Sequence, residues 1–258
     1  MNGLAGRRIL LTREGEDCAA WAAELERLGA VPVRFPCIEC REIDTPALRG
    51  RLAAELPRAR WLAFTSRRGV AAFATLRKGG GTGPAPGPIP APAAVPAEVK
   101  VAVVGPATAQ AAAKTLGRTD LDGGPGGTAA SLGAALAPML APRDRVLIAV
   151  AENAGRTLEA AIASAGADCA RLDVYRTVPS PPAARKAASS TLGADNVFLA
   201  SPSAVSGFVN RVRLDSAPGI FTIGPTTTAA ARAAGLEVTG EAARPGLDGL
   251  VEAMRCAS

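Results

Sequence analysis

The chain of 258 residues contains no histidine. That absence removes Ser-His and Cys-His nucleophile pairs, and with them most hydrolase mechanisms. Aromatic residues make up only 3% of the chain, with one tyrosine, so Ala, Leu and Val have to fill the interior and stacking platforms for nucleic acid are scarce. Five cysteines, Cys18, Cys37, Cys40, Cys169 and Cys256, include one CxxC, "CIEC", with no second pair. Without histidine to complete a tetrahedron no zinc or other metal site is expected, and the odd number of thiols suits a reducing cytoplasm. Long apolar runs are also missing. The N-terminal "MNGLAGRRILLTREGED" turns charged after a few residues and lacks the apolar core of a signal peptide, so a cytoplasmic protein with no membrane partner is expected. No GxxxxGK[ST] occurs, and "GPATA" is not GxGxxG, so no organic cofactor is expected either.

What is present describes a folded protein with room for two cores: 48% hydrophobic and 20% charged residues over a length that suits two domains. The net charge of +6 favours an anionic partner. Its arginines, Arg7, Arg8, Arg13, Arg58, Arg60, Arg67 and Arg68 among them, are scattered rather than blocked together. With few aromatics between them, that pattern argues for an anionic small molecule or a solvated surface over nucleic acid.

Strand and helix patterns alternate along the chain. "RRILLTR" (7–13) reads as a strand, "EDCAAWAAELERLGA" (16–30) as a helix stopped at Gly29, and "VPVRFPCIE" (31–39) as a single second strand. "TPALRGRLAAEL" is helical, and "RWLAFTS" (60–66) is a strand opening into the helix "RRGVAAFATLRK". The stretch 79–98, "GGGTGPAPGPIPAPAAVPAE", is too poor in large apolar groups to pack and reads as a loop insertion. "VAVVGPATAQAAAKTLG" (101–117) is then a strand, a Gly-Pro turn and a helix.

The second half repeats this order. "DRVLIAVAENAGRTLEAAIASAGADCARLDVYRTV" (144–178) is again β-α-β, "DNVFLASPSAVSGFV" matches "RWLAFTSRRGVAAFA", and "GIFTIGPTTTAAARAAG" (219–235) matches 101–117. Leu11 and Ile148 are 137 residues apart, Ser66 and Ser201 135, and Gly105 and Gly224 119; the Gly/Pro tract in the first half accounts for the fall. The expected fold class is therefore α/β, two similar lobes with parallel sheets flanked by helices. In such sheets ligands sit beyond the carboxyl ends of strands, so "LLTR", "FTS", "VGPAT", "IAVAENAGR", "LASPS" and "IGPTT" should border a crevice.

Those strand ends are rich in hydroxyls, glycines and helix starts and poor in strong acids or bases. Ser66, Thr108, Ser201, Ser203, Thr226, Thr227 and Thr228 suit helix capping, and the same helix starts suit carboxylate or phosphate. Tyr175, the lone tyrosine, sits at a strand end. It reads either as a half-buried packing residue or, with an ordinary phenol pKa of about 10, as a donor to a leaving hydroxyl.

The ordered set "ILLTRE", "LERLGAVPVRFPCIE", "WLAFTSRRGVAAF", "VAVVGPATAQAAAKTLG", "DVYRTV", "VFLASPSAVSGFV", "TIGPTTTAAARAAGLEV" and "ARPGLDGLVEAM" resembles the uroporphyrinogen-III synthase family across nearly the whole chain. The resemblance implies one lobe from 1–37 with 177–258, a second from 41–172, linkers at 38–40 and 173–176, and a cleft between the lobes. It implies cyclisation of the linear tetrapyrrole hydroxymethylbilane to uroporphyrinogen III, with inversion of the last pyrrole and loss of water, without metal or cofactor. Tyr175 then occupies the position of the tyrosine proposed to assist departure of the hydroxyl. Thr12, Arg13, Ser66, Thr108, Ser201, Ser203 and Thr227 are the candidate binders of a substrate bearing many carboxylates, and a monomer is expected. In "FTSRRGV" the chain departs from the family's usual proline or asparagine, which leaves Arg67 and Arg68 either to bind a carboxylate or to face water. Two other readings compete. One is a non-catalytic two-lobed anion-binding or sensor domain. The other is a sugar-phosphate isomerase, which needs a strong base, and only Glu14 and Glu152 lie in or beside the strand-end motifs.

Overall fold

The computed structural model describes residues 4–78, 94–124 and 126–257. Most of the expected 79–98 loop, residues 79–93, lies outside these described residues. In chain order the elements begin with β1 (Arg8–Leu11), α1 (Gly15–Arg27), β2 (Val31–Arg34), β3 (Ile38–Glu42), α2 (Pro46–Glu55), β4 (Trp61–Phe64) and α3 (Arg67–Lys78). There follow β5 (Lys100–Val103), α4 (Pro106–Leu116), β6 (Leu121–Asp122), α5 (Ala129–Leu136), β7 (Arg145–Ala151), α6 (Thr157–Ser164) and β8 (Asp168–Pro179). The last part holds β9 (Ala187–Ala188), α7 (Ser189–Leu192), β10 (Asn196–Leu199), α8 (Pro202–Arg211), β11 (Val212–Arg213), β12 (Gly219–Thr222), α9 (Pro225–Ala233), β13 (Gly240–Glu241) and α10 (Leu247–Cys256). The chain divides into two compact units, Met1–Cys40 with Thr177–Ser258 and Arg41–Arg176, and it passes between them within β3 and β8.

One expectation needs correcting. "VPVRFPCIE" is not a single strand but two, β2 and β3, in different sheets. Val31, Phe35 and Cys37 donate to the β1 side, and after Cys37 gives one last bond to Thr12 O at 2.9 Å the chain leaves that ladder and runs on as β3 beside β8.

The first unit holds a parallel sheet in the order β2-β1-β10-β12-β13, and the second a sheet in the order β3-β8-β7-β4-β5-β6 whose last five strands are parallel. Read from the β-α-β pair outward, both have the doubly wound order 2-1-3-4-5. The sequence repeats are exchanged between them. The β-α-β pair of the first repeat, β1 and β2, joins β10, β12 and β13 of the second, while β7 and β8 of the second repeat join β4, β5 and β6 of the first.

Both sheets are covered on both faces, as parallel sheets require, and alternate residues serve opposite cores. In β4, Leu62 and Phe64 enter one core with Phe73, and Trp61 and Ala63 the other with Leu132 and Ile148. In β1, Ile9 and Leu11 pack with Phe198 and Phe221, while Leu10 packs with Val197 and Phe208. These interiors are built mostly from Ala, Leu and Val, with aromatic pairs at Phe64–Phe73 and Phe198–Phe221 as the larger pieces.

Candidate active site

In a doubly wound sheet the strand order reverses at one point, and the helices leaving the two strands there diverge to opposite faces. In the second unit that point lies between β7 and β4, and in the first between β1 and β10. Beyond these strands come Glu152 and Ser66 in the second unit, and Thr12, Arg13 and Ser201 in the first.

The second unit brings two of the candidates together. Ser66 Oγ accepts the Gly69 N–H at 3.0 Å, which caps the start of α3, and lies 3.1 Å from the Tyr175 hydroxyl. Tyr175 belongs to β8, beyond β7, and reaches Ser66 because the β7–β8 register slips: Val150 pairs with Asp173 but Ala151 with Tyr175. Val174 is the extra residue of a bulge. Normal alternation would put Val174 and Tyr175 on opposite faces, yet both pack against the core containing Leu172, Phe73 and Ala149. The bulge thereby aims the phenol over β7 to β4. Gly69 completes the corner, since a Cβ there would lie 2.9 Å from the Ala149 carbonyl and 3.3 Å from Ser66 Oγ. The Tyr175 ring packs against this core, and its hydroxyl is hydrogen-bonded to Ser66.

Thr108 stands apart from that pair. It is 5% exposed in α4, and neither it nor Thr227, its counterpart in α9, caps a helix. The caps are Gly105 and Gly224, which carry no side-chain acceptor, followed by Pro106 and Pro225 in the first turn. None of α3, α4, α8 and α9 has an acidic residue in its first turn, and α3 opens on Arg67 and Arg68. The positive ends of these four helices are thus left without a carboxylate of their own.

In the first unit, Ser201 caps α8 by accepting the Ala204 N–H at 3.1 Å, the same role as Ser66, and Ser203 follows half-buried in the first turn. Thr12 is fully buried and donates to the Phe198 carbonyl at 2.9 Å, tying β1 to β10. Arg13 stacks its guanidinium over Trp21 at 4.5 Å. The 137-residue offset that relates Leu11 to Ile148 relates Ile38 to Tyr175, so this unit has the serine but no phenol at the corresponding position.

Other chemistry is poorly served. Burial pushes the Cys37 thiol up to about 12 and the Cys169 thiol up to about 11, which keeps both as neutral, unreactive thiols. Glu14 accepts the Cys40 N–H at 3.0 Å, and Glu152, half exposed, faces Arg176 at 3.9 Å. Neither carboxylate is placed as a desolvated base. Among the described residues no cluster of three or more Cys, Asp or Glu is arranged to hold a metal ion, and no helix is long and apolar enough to cross a membrane.

The family model described as uroporphyrinogen-III synthase HemD matches residues 19–252. The chain belongs to the uroporphyrinogen-III synthase family. Its fold is similar to the crystal structure of uroporphyrinogen-III synthetase from Helicobacter pylori, at 12% identity over 98% of this chain and 100% of that one, with a TM-score of 0.56. Wild-type uroporphyrinogen III synthase from the extremely thermophilic bacterium Thermus thermophilus is 19% identical over 98% of each chain, with a TM-score of 0.44. No curated protein sequence matches the chain. Membership makes this an enzyme of tetrapyrrole biosynthesis, in a family whose substrate is a tetrapyrrole.

Sequence reading passed over two residues that shape the corner at Ser66 and Tyr175. Gly69 follows Ser66 by three, the spacing of an N-cap hydroxyl and the amide it serves, and that spacing was a usable signal. Arg171 was not findable in the same way. It alternates with buried Ala170 and Leu172 as a solvent-face residue would, yet its side chain is only 12% exposed.

Proposed function

We propose that this chain cyclises hydroxymethylbilane to uroporphyrinogen III, inverting the last pyrrole and releasing water, and that it does so as a cofactor-independent lyase. The observation that carries the reading is the hydrogen bond between Tyr175 and Ser66 at the switch point of the second unit. Departure of the substrate hydroxyl breaks a carbon–oxygen bond, and the oxygen leaves with the electron pair. Tyr175 gives it a proton, so that it departs as water. Ser66 already accepts from Gly69, and its own O–H is then free to turn toward the phenolate and stabilise it. The pyrrole nitrogen delocalises the positive charge left on carbon. The substituted α-carbon of the last pyrrole attacks this cation. Its bond to the chain's methylene then breaks, which moves the cation to the neighbouring pyrrole. The last ring's unsubstituted α-carbon bonds to that methylene, sheds its proton on regaining aromaticity and so restores the phenol.

The substrate's acetate and propionate groups call for many weak anion sites rather than one strong pocket. The helix starts without carboxylates at α3, α4, α8 and α9 suit them, and Arg67 and Arg68 add charge at the first of these. Ser66, Ser201, Ser203 and Arg13 are proposed to meet the substrate. Thr12, Thr108 and Thr227, being buried, are proposed to hold the backbone that does so. The enzyme is proposed to act as a monomer in the cytoplasm, with neither nucleic acid nor membrane as partner.

The test is to generate hydroxymethylbilane in situ, add the purified metal-free protein, and separate the type I and type III uroporphyrins after oxidation. Type III product is expected, with Tyr175→Phe slower by about a hundredfold, the low end of what a general acid contributes. Type I product alone, from folded protein, would move the assignment to an anion-binding or sensor domain.

A further inference from the structure

Arg171 makes contacts that the acid chemistry above does not use, and they converge on the same corner. Its Nε donates to Asp173 at 2.6 Å and one terminal nitrogen to Glu159 at 2.6 Å. Those two carboxylates already satisfy its charge. The other terminal nitrogen turns away from them toward three backbone carbonyls, Ala151 at 2.8 Å, Glu152 at 3.2 Å and Ala154 at 3.3 Å. These residues form the loop that leaves β7 at the switch point. An isolated structural ion pair has no reason to gather the carbonyls of one loop, and a planar fork with donors on three nitrogens is the group able to do both tasks at once.

The loop is in turn bonded to the backbone of the tyrosine. Just past the bulge, Glu152 N–H donates to the Tyr175 carbonyl at 2.8 Å, and this bond carries the β7–β8 pairing beyond the extra residue Val174. The position of residues 151–154 therefore sets the position of the Tyr175 backbone, and with it the 3.1 Å approach of the phenol to Ser66. We propose that Arg171 is a positioning residue of the synthase reaction, holding the β7–α6 loop so that the bulge keeps Tyr175 aimed at Ser66. This rests on the reading of Tyr175 as the acid. Arg171 touches no reacting atom; it acts through the loop and the Glu152 amide.

Lysine keeps the charge but concentrates its donors on one nitrogen, so Arg171→Lys retains an ion pair and loses the three-carbonyl grip. Misplacement of a catalytic group by about 1 Å costs up to about a hundredfold in rate, and a loosened loop is expected to lower kcat by roughly tenfold with KM changed less than about twofold. The deciding experiment is a double-mutant cycle on type III product formation, with Arg171→Lys placed in the wild-type and Tyr175→Phe backgrounds. If Arg171 works through the phenol, the roughly tenfold loss shrinks to less than about twofold once the phenol is gone. Equal losses in both backgrounds, an effect on KM alone, or a Tyr175→Phe enzyme with undiminished kcat each overturn the proposal.

Amide hydrogen exchange reads the same clamp without turnover. The Glu152 amide is expected to exchange about tenfold faster in Arg171→Lys while the amides of β4 keep their protection. Unchanged protection at Glu152, or loss spread evenly over the second unit, rejects the clamp. Failure of the unaltered protein to make type III product would instead retire the synthase reading, a result distinct from either of these.

Discussion

Ser66 and Ser201 occupy corresponding places in the two units, and that correspondence permits a direct measurement of the tyrosine contact. Each hydroxyl accepts one helix N–H, from Gly69 at 3.0 Å and from Ala204 at 3.1 Å. Only Ser66 also bonds a phenol. Replacing an N-cap serine by alanine costs about 1 kcal/mol. A neutral side-chain hydrogen bond adds a net contribution of about 1 kcal/mol, more when the surviving partner is left buried. Ser201→Ala should therefore cost about 1 kcal/mol, and Ser66→Ala about 2 kcal/mol. With a urea slope of about 2 kcal/mol per molar, the unfolding midpoints should fall by roughly 0.5 M and 1 M respectively. Far-ultraviolet circular dichroism across a urea series supplies the midpoints, and where the units melt in separate steps each substitution should move only the step of its own unit. In a Tyr175→Phe background the excess of Ser66→Ala over Ser201→Ala should vanish. Equal shifts for the two serines in the wild-type background would refute the account, because the phenol would then add nothing to what the cap provides.

Two further outcomes follow from contacts elsewhere in the first unit. A Cβ on Gly207 would fall 1.6 Å from the Cys37 carbonyl oxygen and 3.1 Å from the Ser180 nitrogen, both backbone atoms, so Gly207→Ala should destabilise by about 3 kcal/mol in urea unfolding. A loss below about 0.5 kcal/mol would mean that α8 can withdraw from this crossing. The Ser190 N–H, followed by the hydroxyls of Ser190 and Ser189 and the charge of Arg213, holds the Asp215 carboxyl down at about 2 against an ordinary 3.8. The folded protein then binds fewer protons there than the unfolded chain does, so this stabilisation is complete above about pH 4 and is lost as the pH falls toward 2. Asp215→Asn should flatten the pH dependence of stability in that window, and an unchanged slope between pH 4 and pH 2 in acid-unfolding curves would contradict the assignment.

The sequence by itself determined what local chemistry can determine. Alternating strand and helix patterns, Gly-Pro breaks at 105–106 and 224–225, and serines at the ends of β4 and β10 place the hydroxyls beyond the carboxyl ends of parallel strands. The lack of histidine removed whole classes of mechanism, and a single tyrosine left one phenol to place. Three matters were decided only in the folded chain. Both repeats carry the same strand patterns, so local preference alone permits each to close on itself; long-range pairing of β1 with β10 and of β7 with β4 selects the exchanged arrangement. The hydroxyls of Thr12, Thr108 and Thr227 look equivalent to that of Ser66 in sequence, but packing of neighbouring elements buries them. The bulge at Val174 has no signature in "LDVYRT", because a period of two has the same appearance whether or not one residue is skipped in pairing. That skip arises between β7 and β8, and it decides that Tyr175 meets Ser66 rather than pointing to the other face of the sheet.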